Sequence, residues 1–499
     1  MSEFSEKLLQ YINQSGYNIY KLAREAGIDR TTLQKTVKGQ RLPSIEYVKD
    51  IVRYLKLSKR QEEQLYELFK REKYGSDVID TWAEIYQIIL DIPRLRKQSR
   101  DHSMCKLRFD RESLEHFAEN PQMILNSEIE IIRAVMCIVE QEIMEESDPE
   151  IYMDVSYASQ YVLSQLMEFG ESSAKAVICH QMVNLMRTEQ PSSGTVGNFK
   201  ILHQVLPYAF AFFKDYDIRY TYVTGSTEDQ KYALWPHYIV THRHVFLCSH
   251  DRCHAVVFSD KQMAECYNQE LGQMLNSYRS LFTYQGFSDE GIRKYRKMCE
   301  YGESHVIYET FPCLALLVPQ EMQEELKKNP EFGTAAAAYF DVLDFPQSQI
   351  INIFGMKGMK KFIQTGHLPG VYDHYLHEVS MECRQAMILN FYQHLKNHTR
   401  QFYLINEEEL SASEGLSLEL YGKNRMVLCS TADDSPFGFI MIDEPGICEA
   451  FYSYIENLLE SRFLYSVEET IERYEEIVRE AFGETEIQLP GKGTIEGTY

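Results

Sequence analysis

Residues 18–39, NIYKLAREAGIDRTTLQKTVKG, constrain the fold more than any other stretch of this 499-residue chain. They predict two short helices joined by a tight turn. Asn18 is placed to cap the first helix, Ile19–Ala26, with Leu22 and Ala23 turned inward. Gly27 falls where a left-handed turn is needed and a Cβ would be costly. Asp29 opens the second helix by offering its carboxylate to free backbone N–H groups. In that helix, Arg30–Lys38, Leu33 and Val37 share one face at i, i+4 spacing. The opposite face carries Arg30, Thr31, Gln34 and Lys35. Gly39 stops the helix, and Pro43-Ser44 begin the next.

The order Leu22-Ala23, Ala26-Gly27-Ile28, Thr32-Leu33, Gly39, Arg41, Pro43 and Leu55 resembles the Cro/cI-type (XRE) helix-turn-helix of phage repressors. The resemblance covers about residues 4–72 and leaves the rest of the chain unrecognised. It implies that the second helix lies in the major groove of double-stranded DNA, with its N-terminal residues at base edges. By position, Arg30, Thr31 and Lys35 inherit base reading, with Thr32 and Gln34 in the same DNA-facing set. Asn18, Lys21, Lys38 and Arg41 inherit phosphate contacts, which position without specifying. Val37 departs from the pattern, because many family members carry a glutamate there that serves a structural ion pair. For Lys21 or Lys38 alone a solvated helix face would explain the charge; the framework around them points to phosphate. The resemblance also implies a homodimer on inverted half-sites about one DNA turn apart.

Charge sharpens this division. Residues 1–75 hold 15 Lys+Arg against 10 Asp+Glu, a balance of +5. The remainder holds 36 against 64, a balance of −28. Polyanion binding is thereby confined to the front, and the acidic part would be repelled by a phosphate backbone. The longest apolar runs, such as Val205–Phe213, fall far short of the roughly 20 residues of a membrane span. The N-terminus lacks the pattern of a signal peptide. Eleven cysteines, scattered and without a CxxC pair, fit reduced thiols in a cytoplasm.

Further helices are expected at 2–16 (Phe4, Leu8, Leu9, Ile12), Ser44–Leu55, Ser58–Tyr74, and Asp80–Leu90, stopped before Pro93. The basic run RLRKQSR at 94–100 reads as a solvated linker. Residues 110–190 read as helical almost throughout, in Asn126–Met144, Tyr157–Phe169 and Ser173–Met186. After the breaker PSSG at 191–194 comes an apolar helix, Asn198–Phe213, containing Pro207. Strands are expected at Arg219–Val223, Tyr238–Ser249 and His254–Phe258, followed by helix Lys261–Phe282. A similar order recurs: helix Cys383–Lys396, strands Gln401–Ile405, Leu416–Ser430 and Phe437–Ile442, helix Gly446–Leu459. Leu247-Cys248-Ser249 falls opposite Leu428-Cys429-Ser430, and Val256 and Phe258 opposite Ile440 and Ile442. Between the copies, Phe311–Val318 reads as a buried strand, Pro319 as a helix start, and FGMKGMKKF at 354–362 as a turn with a basic face.

The expected fold is therefore α+β and multidomain. A five-helix DNA-binding domain (1–75) precedes a helical linker or dimerisation segment (76–195). Then come an α/β unit (196–290), a connecting α/β segment (291–382), a second α/β unit that repeats the first (383–484), and a flexible tail (485–499), with small, mainly antiparallel sheets. A cleft between two such copies would suit a small-molecule effector.

Catalytic motifs do not assemble. His377-Glu378 lacks the second histidine of a zinc-protease helix, Ser172–Lys175 fits SxxK without its companions, and no glycine-rich phosphate loop or dinucleotide fingerprint occurs. One cluster stands out: His237, His242, His244, Cys248, His250, Cys253 and His254. Alternation along a strand would put His242, His244, Cys248 and His250 on one face, a donor set that suits zinc or copper. Histidines also suit half-exposed strands, and the spacing matches no zinc module, so no metal or cofactor is assigned. Tyr216, Tyr220, Tyr222, Tyr232 and Trp235 fit either core or an apolar pocket. The sequence thus predicts a cytoplasmic DNA-binding transcription regulator, not an enzyme, with a large acidic sensing or oligomerisation region. The alternatives are an antitoxin or phage-defence protein that binds a partner protein, and an enzyme fused to a DNA-binding module.

Overall fold

The computed structural model describes residues 1–101, 121–154, 176–187, 196–212, 215–223, 235–286, 290–291, 293–294, 297, 304–313, 317–328, 333, 337, 340, 349–366, 379–397, 401–412, 415–430 and 438–486. It forms two compact units, Met1–Glu84 with Ser192–Val196, and Ile85–Pro191 with Gly197–Tyr499.

The first unit contains α1 (Glu3–Gln14), α2 (Ile19–Ala26), α3 (Arg30–Val37), α4 (Ile45–Leu55) and α5 (Lys59–Tyr74). Each helix starts where a short polar side chain can accept a free backbone N–H. Ser2, Asn18, Asp29, Ser44 and Ser58 are the five N-caps, and Ser58 with Gln61 forms a reciprocal capping box. The apolar stripes then meet: Phe4, Leu8 and Ile12 of α1, Leu22 and Ala23 of α2, and Leu33 and Val37 of α3 share one core with Val48, Ile51, Leu55, Leu65 and Phe69. The next helix, α6, runs Ser76–Asp101 and passes Pro93, where the sequence predicts a stop. A proline within a helix costs one backbone bond and some bending, and the ladder here continues beyond it.

The second unit holds two mixed sheets. The first contains β1 (Gln122–Leu125), β2 (Glu150–Met153), β3 (Ile178–Met186), β4 (Tyr216–Val223), β5 (His237–Val240), β6 (Val245–Cys248), β7 (Ala255–Phe258) and β8 (Arg279–Ser280). Their order is β1-β7-β6-β5-β2-β3-β4-β8. The second contains β9 (Thr283–Gly286), β10 (Ser304–Glu309), β11 (Gln349–Phe354), β12 (Gln401–Leu404), β13 (Leu416–Tyr421), β14 (Arg425–Ser430) and β15 (Gly438–Ile442), in the order β12-β11-β10-β13-β14-β15-β9. In each sheet three parallel strands (β2-β3-β4; β10-β11-β12) continue into an antiparallel arm (β5-β6-β7; β13-β14-β15) that ends on an earlier strand (β1; β9). Most pairings are antiparallel, as expected. The registers also agree: Leu247 pairs with Val256 and Leu428 with Ile440, as their sequence correspondence requires.

Helices α7 (Glu128–Glu145), α8 (Val196–Phe212), α9 (Lys261–Ser277), α10 (Gln320–Leu326), α11 (Met356–Thr365), α12 (Met381–Lys396), α13 (Pro445–Leu459) and α14 (Val467–Glu486) complete the described elements. Phe362, Phe391, Phe402 and Tyr474 lie in the main core beside β10, β11 and β12. A side-chain contact ties the first sheet to the start of α13: Tyr222 of β4 donates to Glu444, at 2.5 Å, and Glu444 caps α13 through the N–H of Ile447.

Three local expectations are corrected. Ile178–Met186 is a strand, not the end of a helix; its buried residues alternate. Phe311–Val318 forms no strand in its described part, although Phe311, Cys313, Leu317 and Val318 are buried. Residues 356–362 are helical rather than a turn. There Gly358 passes so close to the carbonyl of Thr310 that a Cβ would lie 2.4 Å from its oxygen. Tyr157–Phe169, Ser172–Lys175, Tyr232, His377-Glu378 and the tail from 487 lie outside the described residues, as do the side chains of 94–100.

The histidine cluster is dispersed because the chain turns at 241–244, so His242 and His244 do not share a strand face. His237 Nδ1 sits 2.6 Å from Asp154, and His250 stacks on His237. His244 lies 3.0 Å from Ser259 and from Gln141, and burial pushes its pKa down to about 4. Among the described residues, no three His, Cys, Asp or Glu side chains converge as a metal site. His242 instead forms a clasp. Glu142 of α7, 3% exposed, accepts from the backbone N–H groups of Glu150 and His242 and approaches His242 Nδ1 at 2.5 Å. Glu142→Ala leaves two inward N–H groups without that acceptor. We expect it to cost about 3 kcal/mol, read as a lowered melting temperature of the full chain, with Glu142→Gln costing less.

Candidate nucleic-acid interface

The interface is built on α3, whose position is fixed from three sides. Leu33 and Val37 anchor it from below, at 0% and 3% exposure. Gly27, with φ of +67°, turns the chain between α2 and α3 in a conformation that a Cβ would strain. At the N-terminus, Asp29 Oδ1 accepts the Thr32 N–H at 2.6 Å. Hydrogen bonds from Thr32, side chain first and then backbone, hold the Asp29 carboxyl below the usual carboxylate range. Tyr47 of α4 donates its hydroxyl to the Asp29 carbonyl at 2.9 Å, so α4 holds the start of α3 directly. Tyr47→Phe removes that one bond and is expected to lower the stability of the first unit by about 1 kcal/mol, measured by thermal denaturation followed at helix absorption bands.

The outward face carries the residues that the sequence singles out. Arg30, Thr31, Gln34, Lys35 and Lys38 are exposed, opposite buried Leu33, Thr36 and Val37. Asn18, Lys21 and Arg41 are exposed as well. Asn18 is occupied as a cap, since its Oδ1 accepts the Lys21 N–H at 2.8 Å. Thr32 is only half-exposed, and both its backbone N–H and its side chain meet the Asp29 carboxylate at the helix start. Arg41 lies near enough to Asp29 to act on its charge, which brings it to the N-terminal end of α3. Val37 is buried at 3% exposure and packs into the core of the first unit.

Aromatic rings hold two of the cations, which sequence reasoning missed. Lys21 Nζ lies 5.2 Å from the centre of the Tyr17 ring, and the Arg30 guanidinium lies 5.6 Å from the centre of the Tyr20 ring. The signal available was Tyr20 itself, a tyrosine on the solvent side of a short helix whose neighbour Ile19 turns to the core.

A family model described as helix-turn-helix matches residues 8–61. The N-terminal segment is thus a Cro/cI-type helix-turn-helix, and the match ends there. No curated protein matches the chain. Among solved structures, a phosphatidylserine synthase of Haemophilus influenzae Rd KW20 is similar at 10% identity, over 73% of this chain and 98% of that one, with a TM-score of 0.22. TrmBL2, an archaeal chromatin protein, is similar at 7% identity over 56% and 94%, with a TM-score of 0.22. Yeast tyrosyl-DNA phosphodiesterase follows at 8% identity over 65% and 88%, with a TM-score of 0.19. Scores this low assign no fold. No described helix is long and apolar enough to cross a membrane.

Proposed function

We propose that the chain is a cytoplasmic, sequence-specific transcription regulator that binds double-stranded DNA as a homodimer. The observation that carries this reading is the exposed polar face of α3, held at its start by Asp29 and Tyr47 and flanked by Lys21, Lys38 and Arg41. The helix enters the major groove, where Arg30, Thr31 and Lys35 meet base edges and Gln34 lies beside them. Lys21, Lys38 and Arg41 meet phosphate, with Asn18 at the N-terminus of α2. The front-loaded positive charge supports the same orientation.

In this reading the acidic region works by binding, not catalysis. It dimerises the chain and takes a small-molecule effector that prefers one arrangement of its two sheets, and so changes the population competent for DNA. The shared strand order of the sheets supports a paired architecture of that kind.

The test is selection of duplexes from a randomised library by the full-length protein. Enrichment of one inverted repeat, with a dimer in sedimentation equilibrium at the same concentration, is the expected result. Recovery of unselected sequence overturns the reading.

A further inference from the structure

Resting on the reading of α3 as the groove helix, a second layer is visible at its first residue. Tyr20 is 58% exposed, unusually open for a large aromatic side chain in this protein. Its neighbours Tyr17 and Ile19 pack against the core, while Tyr20 stands outside it. What it touches is Arg30, whose guanidinium sits over its ring at 5.6 Å. The contact follows from the geometry of the motif. Side chains on a helix lean toward its N-terminus, so the first side chain of α3 leans back over the turn and meets α2.

An arginine at an exposed helix start samples many rotamers, and each must be given up when it engages a base. A ring beneath the guanidinium narrows that choice before DNA arrives. A guanidinium held over a ring face by its charge can still present N–H groups outward. A fixed fork of that kind matches two acceptors side by side, and in the major groove the pair that fits best is O6 and N7 of guanine.

We infer that Tyr20 is a positioning residue for base recognition: its ring holds Arg30 so that the helix-turn-helix selects a guanine at one position of each half-site. The hydroxyl has no part in this, and the ring face does.

The experiment is duplex selection by the full-length protein from a library with a randomised core, run in parallel for wild type, R30A, Y20A, Y20F and Y20L. Melting curves confirm that each variant is folded. Wild type is expected to enrich a guanine at one position per half-site, and R30A to lose that enrichment alone. Y20A and Y20L should reduce the guanine preference about two- to fivefold, the range of an exposed cation–π contact. Y20F should retain it, and the salt dependence of binding should be the same in all three Tyr20 variants. A Y20A or Y20L protein with wild-type guanine preference overturns the inference and leaves DNA binding standing. Loss in Y20F equal to that in Y20A also overturns it, because the hydroxyl would then make the contact. Should wild type itself enrich nothing, the parent reading fails first, and the inference with it.

Discussion

The double variant R30A/K35A is expected to fold like wild type and to lose about a hundredfold of its preference for its selected duplex over scrambled duplex. Both side chains are exposed on α3, so neither contributes to the core formed by Leu33 and Val37. Each good pairing with a base edge is worth about 1–3 kcal/mol of discrimination. Two such losses, each of about 1.4 kcal/mol toward the lower end of that range, give the hundredfold figure. Removing two cations also weakens binding to every sequence, so the ratio of affinities is the informative quantity. Lys21→Ala provides the contrast. A phosphate contact carries no sequence information, so its loss should weaken selected and scrambled duplex alike and reduce the salt slope by about 0.9. Fluorescence anisotropy titrations on both duplexes across a salt series separate the two behaviours. If R30A/K35A keeps its preference, α3 is not the reading element.

The first unit was legible because its signals are local. Asn18, Gly27 and Asp29 act on neighbours three or four residues away, and each behaves as its chemistry requires. The same holds for Ser44 and Ser58. The central strands were hidden for a physical reason. In Ile178–Met186, Cys179, Met182, Val183 and Met186 follow helical spacing, while Cys179, Val183 and Leu185 also fit alternation. One face of this strand is buried through Cys179, Gln181, Val183 and Leu185, while the other mixes apolar Ile178, Met182 and Met186 with His180 and Asn184, so polarity does not follow burial and neither period stands out. The antiparallel arms carry a clearer signal: in the first, the turn near His242-Arg243 shows plainly in the sequence. The arms were therefore legible, as were the outer parallel strands at Arg219–Val223 and Gln401–Ile405, while β2, β3, β10 and β11 were not. The candidate interface had a similar limit. Position along the motif identified Arg30 and Lys35, but a contact between α2 and α3 depends on side-chain direction, and so Tyr20 stayed silent.

Raising the pH from 6.5 through 9 is expected to destabilise the second unit, because of a charge network that crosses its first sheet. Tyr152, His180 and Asp217 lie in register on β2, β3 and β4. His180 Nε2 meets Glu150 Oε1 at 2.8 Å, and its Nδ1 lies 3.4 Å from Asp217 Oδ2, a charge contact rather than a well-aligned hydrogen bond. Arg219 in turn meets Asp217 at 3.1 Å, and the Tyr152 ring stacks on the imidazole at 4.7 Å. Burial alone would push the His180 pKa down. The two carboxylates outweigh it and raise the pKa to about 9. Glu150 is held below the usual range chiefly by His180; Asp217 is lowered too, against its own burial, by His180 and Arg219. The folded protein thus binds a proton on His180 that the unfolded chain releases near pH 6.5. Stability from this site is fully present below that pH and is lost as pH rises through about 9, by at most about 3 kcal/mol. The carboxylates set the opposite limit, since their contribution disappears as pH falls through their lowered folded values. His180→Gln keeps a polar side chain but cannot carry the charge. Its melting temperature should lie below wild type at pH 6 and approach it by pH 9.5, with a flatter profile between. A wild-type profile that is flat across that interval, or a variant that runs parallel to wild type, would mean that His180 is neutral in the folded sheet.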